Sequence, residues 1–126
     1  MADHITKYAT LARKLYENTS NGMVHWQLTG WQESLPTAHL GGYIVKLSKS
    51  ENELGGPVVS VSLFDNADEY VDGFTDETLV DQETSIFGVP NFWQLLNQLY
   101  NAAWRYAKGA DKALDAVLKD LDDTPF

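Results

Sequence analysis

The spacing of hydrophobic residues predicts an amphipathic helix at each end of the chain. Between residues 3 and 19 apolar residues recur every three or four positions, which places them on one helix face, and Gly22 follows where this helix ends. A second, longer helix begins after Asn91, because Asn91 can cap its first turn and Gln94 can complete a capping box. Gly109 interrupts the apolar stripe, and the sequence leaves open whether it kinks one helix or separates two.

Alternation between apolar and polar residues predicts four β-strands between these helices. The predicted strands are residues 23–29, residues 35 or 38 to 48, Val58–Phe64 and Tyr70–Thr75. We interpret Gly41-Gly42 as a bulge or bend within the second strand. Residues 76–88 are predicted to connect the sheet to the C-terminal region, with a helical turn near residues 77–80. The sequence therefore predicts an α+β fold: an N-terminal helix and a C-terminal helix or helix pair pack on one face of a four-stranded antiparallel meander.

Length and composition narrow the class of protein. A chain of 126 residues, of which 44% are hydrophobic, is expected to form a single domain over residues 1–126. The sequence contains no cysteine, which excludes disulfides, zinc–thiolate sites and cysteine nucleophiles. Charged residues interrupt the first twenty positions, and no apolar run approaches membrane length. We therefore expect a cytoplasmic protein that does not insert into membranes.

The negative charge is concentrated in the middle of the chain. The formal net charge of the chain is -9. Residues 51–104 contain ten acidic side chains and no lysine or arginine, whereas residues 1–50 are slightly basic. Such a segment repels nucleic-acid phosphates and anionic lipids, so direct binding to either is not expected. A basic protein partner fits this charge, although acids that only keep turns and strand faces soluble would give the same pattern.

The order of these segments resembles small stand-alone bacterial proteins of unknown function. The resemblance extends over nearly the whole chain, from the helix ending near Gly22 to the helical end at Leu121. Between them it includes the strand with Trp26, the strand that follows Gly41-Gly42, and the strand beginning at Val58. The resemblance implies a helix, a four-strand meander and a helix, and it implies no activity.

No arrangement of reactive residues indicates catalysis. The sequence has no nucleophile elbow and no phosphate-binding glycine loop. His25 and His39 lie on neighbouring predicted strands, where with Glu33 they could bind a metal if they meet, but ordinary strand histidines are the simpler interpretation. The acids at residues 65–69 lack the spacing of an EF-hand loop. We expect no catalytic residues, cofactor or metal, and whether the protein is an enzyme stays open.

The remaining hypothesis is binding to another protein. Tryptophan is enriched at interface hot spots, and acidic residues can attract a basic partner. The candidate contact residues are Trp31, Trp93, Trp104, Asp65, Asp68, Glu69 and Asp72. The leading prediction is a non-enzymatic protein–protein interaction module that docks an unidentified protein or forms a homo-oligomer through its C-terminal helices. The alternative is an acidic inhibitor or immunity-type protein that binds a basic enzyme or mimics nucleic acid.

Overall fold

A computed structural model describes residues 4–29 and 35–122. Its elements are α1 (His4–Ser20), β1 (Gln27–Thr29), β2 (Leu35–Leu40), β3 (Tyr43–Glu51), β4 (Pro57–Phe64), β5 (Tyr70–Thr75), a 3₁₀ helix (Glu77–Leu79), α2 (Phe92–Lys108) and α3 (Ala110–Asp122). The strands form one antiparallel sheet in the order β1-β2-β3-β4-β5. This architecture confirms the predicted α+β class and the meander.

The predicted number of strands was wrong by one, because Gly41-Gly42 is a hairpin turn and not a bulge. Leu40 pairs directly with Tyr43, so only the two glycines connect β2 to β3. Their φ angles are 61° and 81°. Two-residue hairpin loops of this kind need positive φ at both positions, which glycine adopts without steric cost. The long second strand of the prediction is therefore two paired strands.

The hydrophobic core lies between the sheet and helices α1 and α2. Alternate residues of β3 and β4 point into it, and both helices contribute their apolar faces. The buried residues include Ala9, Ala12 and Leu15 of α1, Val45, Leu47, Val59 and Val61 of the sheet, and Leu95, Leu96, Leu99 and Ala103 of α2. Each fully buried leucine or valine contributes about 1.5–3 kcal/mol relative to an exposed one. Burial of these side chains is what fixes both helices on a single sheet face.

Local capping signals set the limits of α2. The Asn91 side chain accepts a hydrogen bond of 2.8 Å from the Gln94 backbone N–H, as the sequence predicts. At the other end, Gly109 has a left-handed conformation and its N–H donates to the carbonyl of Tyr106 at 3.0 Å. Gly109 therefore ends α2, and α3 is a separate helix.

Of the predicted C-terminal helix pair, only α2 packs on the sheet. Its buried face extends from Phe92 to Ala103, whereas none of the residues of α3 is buried. The left-handed conformation of Gly109 separates α3 from the helix that covers the core. We call α1, the sheet and α2 the domain body; α3 extends from it as an exposed helix.

Candidate functional site

The exposed helix α3 carries a hydrophobic stripe. Leu114, Val117, Leu118 and Leu121 lie on one helix face because their spacing follows the helical repeat. Their exposed fractions are 53%, 58%, 57% and 60%. We call these four residues the α3 stripe. A contiguous apolar surface of this kind on a short helix is typical of a protein interaction site.

The length of α3 makes this exposure informative. A helix of 13 residues is marginally stable in water unless its apolar face is buried. The ion pair between Arg105 of α2 and Asp111 of α3, at 3.0 Å, adds little to the stability of α3, because both side chains are exposed to solvent. Such pairs contribute about 0–1 kcal/mol. A shallow depression of ≈ 360 Å³ beside Arg105 reaches Leu114 and Val117, and it offers contact area for another chain. Contacts with the other described residues therefore leave the apolar face of α3 in solvent.

The candidate tryptophans of α2 are partly exposed. Trp93 donates its indole N–H to the Pro57 carbonyl at 3.2 Å, and this hydrogen bond fixes its ring against β4. The ammonium group of Lys108 lies 5.3 Å from the centre of the Trp104 ring. The third candidate, Trp31, lies outside the described residues. Both described indoles thus present part of their surface to solvent while contacting their own chain.

Most of the candidate acids are held by hydrogen bonds within the domain. The Asp65 carboxylate accepts from the backbone N–H groups of Ala67 and Glu69, at 2.9 and 3.0 Å. Asp68 forms an ion pair of 3.0 Å with Lys46. These contacts make the β4–β5 turn a self-contained loop, and its binding role stays a prediction.

The fourth candidate acid, Asp72, connects β5 to the first helix. It accepts a hydrogen bond of 2.9 Å from the Tyr8 phenol. This hydrogen bond, together with partial desolvation, raises the pKa of Tyr8 above its ordinary value. Asp72 is therefore a packing contact between helix and sheet in this structure.

The histidines do not form a metal centre with other described residues. His25 hydrogen-bonds to the Tyr106 phenol of α2, and their rings are 5.9 Å apart. His39 lies on β2 opposite Ile44. Within residues 4–29 and 35–122 no three histidine, aspartate or glutamate side chains are grouped as metal ligands. The Glu33 of the metal hypothesis lies outside these ranges.

Sequence reasoning missed a groove between the 3₁₀ helix and the start of α2. It has a volume of ≈ 500 Å³, and its walls include Asp76, Glu77, Val80, Asn91 and Trp93. Residues 76–88 show no periodicity that would have revealed it. The one sequence feature that pointed to this groove is the pair of adjacent acids, Asp76 and Glu77, at the start of a helical turn.

None of the described helices combines the length and the hydrophobicity needed to cross a membrane. Comparisons with protein-family models, with curated proteins and with solved structures find no match to this chain. The resemblance to small stand-alone bacterial proteins accordingly stays a prediction, and function is argued from the surfaces themselves.

Proposed function

We propose that this protein is a non-enzymatic protein–protein interaction module that pairs with a second copy of itself through the α3 stripe. The observation that carries the proposal is that residues 111–122 of α3 are all exposed, in a helix that has a continuous apolar face. Helices of this length are stabilised by packing and not by intrinsic propensity. Pairing would bury the stripe and hold the helix in place.

The spacing within α3 supports helix–helix pairing. Ala110, Leu114, Val117 and Leu121 alternate at intervals of four, three and four residues. This is the a/d spacing of a coiled-coil seam, in which each side chain packs between residues of the facing helix. Leu118 borders the seam and widens the apolar contact. The charged residues Lys112 and Lys119 lie on the opposite side of the helix, where pairing leaves them in water.

The charge distribution favours a second copy as the occupant. Residues 105–122 contain four basic and four acidic side chains, so this region has no net charge. Residues 51–104 contain ten acids and no lysine or arginine, so two copies repel each other when these segments meet. Contact through the C-terminal region therefore avoids the repulsion between the acidic segments of the two copies.

The expected dimer is a weak one. A helix of 13 residues is about 20 Å long and provides two heptads of seam. Standard stable interfaces bury about 800 Å² per partner, and a two-heptad seam with its flanking residues lies at or below that size. We expect a dissociation constant in the micromolar range.

Sedimentation equilibrium on the full chain tests the proposal. Concentrations from about 1 µM to about 500 µM bracket the affinities that a small interface provides. The test variant is Leu114→Ser/Leu121→Ser, which removes two seam residues. The matched control is Asp115→Ser/Lys119→Ser, which places the same serines on the opposite helix face and leaves the net charge unchanged. Circular dichroism with urea denaturation of each variant verifies that the domain body remains folded.

The expected result is a reversible monomer–dimer equilibrium for the wild type and the control, with the dissociation constant raised at least about tenfold in the test variant. A wild type that stays monomeric at the highest concentration contradicts the proposal. Equal association of wild type and test variant contradicts it as well. The alternative, an acidic inhibitor or immunity-type protein, is supported by the charge of residues 51–104 and does not require α3.

A further inference from the structure

A second surface on this domain is suited to a different partner from the one expected at α3. The groove between the 3₁₀ helix and the start of α2 has a volume of ≈ 500 Å³. Its lining combines two carboxylates with the apolar surfaces of Val80, Phe92 and Trp93. A concave site that pairs apolar walls with a few polar groups has the general character of a binding site.

Asp76 is the unusual residue of this groove. It is only 8% exposed, yet it lines the cavity. One carboxylate oxygen accepts a hydrogen bond of 2.8 Å from the Val59 backbone N–H. The other has no hydrogen bond to any described residue and no cation beside it. This oxygen is accessible to solvent, since no described side-chain oxygen is both buried and without a partner, so a donor in the groove can reach it.

Glu77 adds a second carboxylate at the same rim. One of its oxygens accepts from the Asn52 side-chain amide at 3.2 Å, which orients the group without neutralising it. No described lysine or arginine forms an ion pair with Asp76 or Glu77, and residues 51–104 contain neither residue type. The groove therefore has an unbalanced negative charge.

Trp93 also lines the groove, and a hydrogen bond orients its ring. Its indole N–H donates to the Pro57 carbonyl at 3.2 Å, while 36% of the residue stays exposed. The face of an indole attracts a cation placed over it. The helix dipole places about half a positive charge at the amino end of α2, beside the groove. This partial charge is smaller than the negative charge of the two carboxylates, and Asn91 already accepts the Gln94 N–H.

We propose that this groove binds an arginine side chain presented by a basic partner protein. Arginine matches each feature, since its aliphatic stem packs on Val80, its planar guanidinium stacks on an indole, and its several N–H donors satisfy carboxylates. Lysine lacks the planar group and is more strongly hydrated. A second copy of this chain is not the occupant, because its two arginines already have partners: Arg13 donates to the Glu83 carbonyl and Arg105 pairs with Asp111. The inference goes beyond self-association and is independent of α3.

Two-dimensional ¹H–¹⁵N NMR on the full chain tests the groove with a defined probe. N-acetyl-L-arginine methylamide is titrated while the indole N–H signal of Trp93 is followed, with Trp93→Phe assigning that signal. N-acetyl-L-citrulline methylamide has nearly the same shape without the charge and serves as the matched probe. The variant Glu77→Gln removes one rim charge, and Glu17→Gln removes an exposed charge on α1 as its control.

We expect a saturable shift of the Trp93 signal with a millimolar dissociation constant for the arginine probe, and no saturable shift for the citrulline probe. Glu77→Gln should weaken binding at least about fivefold, and Glu17→Gln less than about twofold. Absence of a saturable shift, equal binding of the citrulline probe, or equal weakening by the two variants would each overturn the proposal.

Discussion

The phenol of Tyr8 in α1 donates a hydrogen bond of 2.9 Å to the carboxylate of Asp72 in β5. The same carboxylate oxygen accepts the Gly73 backbone N–H at 2.8 Å, which fixes its orientation. The Tyr8 ring also stacks on Phe74, with ring centres 4.7 Å apart. One aromatic residue thus joins the first helix to the last strand through both a polar and an apolar contact.

Replacing Tyr8 with phenylalanine should lower the thermal midpoint at neutral pH, because the ring stays and the hydrogen bond is lost. The bond raises the pKa of Tyr8, so its contribution is complete below the unfolded value of about 10. That contribution disappears as the pH rises through the raised pKa of the folded protein. Scanning calorimetry from pH 7 to strongly alkaline pH should show the midpoint difference between the two proteins narrowing above pH 10.

Tyr43→Phe provides the comparison, since Tyr43 is exposed at the β2–β3 turn. This variant should match the wild type throughout the pH range. A Tyr8→Phe effect no larger than that of Tyr43→Phe at pH 7 would show that the Asp72 contact does not stabilise the fold.

The N-cap of α2 gives a second stability prediction. Asn91→Ala removes the acceptor for the Gln94 N–H and should cost about 1 kcal/mol in the free energy of unfolding. Asn91→Ser keeps an uncharged acceptor at the same position and should lie close to the wild type. Urea denaturation of the three proteins measures the difference. Equal losses in the alanine and serine variants would mean that the cap itself is not the source.

The β2–β3 turn gives a third stability prediction. Gly42 has a φ of 81°, so Gly42→Ala should destabilise the protein by about 1–2 kcal/mol. Gly41→Asn should be tolerated better, because asparagine is the side chain most compatible with the left-handed region and Gly41 has a φ of 61°. The urea midpoints of both variants test this order, and a Gly42→Ala protein as stable as the wild type would argue against the hairpin.

The correctly predicted parts of the fold depend on short-range signals. The alternation in Val58–Phe64 identifies β4, and Asn91 marks the start of α2 by capping chemistry that involves only three neighbouring residues. The prediction of a bulge at Gly41-Gly42 was wrong although the alternation changes phase there, since the buried and paired residues Ala38 and Val45 are an odd number of positions apart. A bulge and a two-glycine hairpin give similar local patterns, and strand pairing decides between them.

The surfaces were harder to predict than the fold. The amphipathic pattern of α3 shows that the helix has a face to bury, but the pattern does not say that the domain body leaves Leu114 and Leu121 exposed. The groove is made by residues from two separate segments, Asp76–Val80 and Asn91–Trp93, which only the folded chain brings together. Local sequence therefore shows neither that α3 is exposed nor that the two segments of the groove meet.

Salt should separate the two proposed interactions. Between about 0.1 M and 1 M NaCl the screening length falls from about 10 Å to 3 Å. Self-association through the apolar α3 stripe should stay constant or strengthen, since screening reduces repulsion between two chains of net charge -9. Binding of the arginine probe should weaken severalfold. Sedimentation equilibrium and the NMR titration at both salt concentrations measure this, and dimer dissociation at high salt would contradict an apolar seam.

Pairing of α3 with α3 is tested most directly by an intermolecular distance. The sequence contains no cysteine, so Ala116→Cys on the outward face of α3 introduces a single site for a spin label. With helix axes 8–10 Å apart and the label near the middle of a helix about 20 Å long, pulsed dipolar spectroscopy should give a label–label distance within about 35 Å. The distance signal should disappear when Leu114→Ser/Leu121→Ser is added. A labelled protein without any intermolecular distance signal at concentrations up to about 500 µM, or an unchanged signal in the triple variant, would contradict self-association through the α3 stripe.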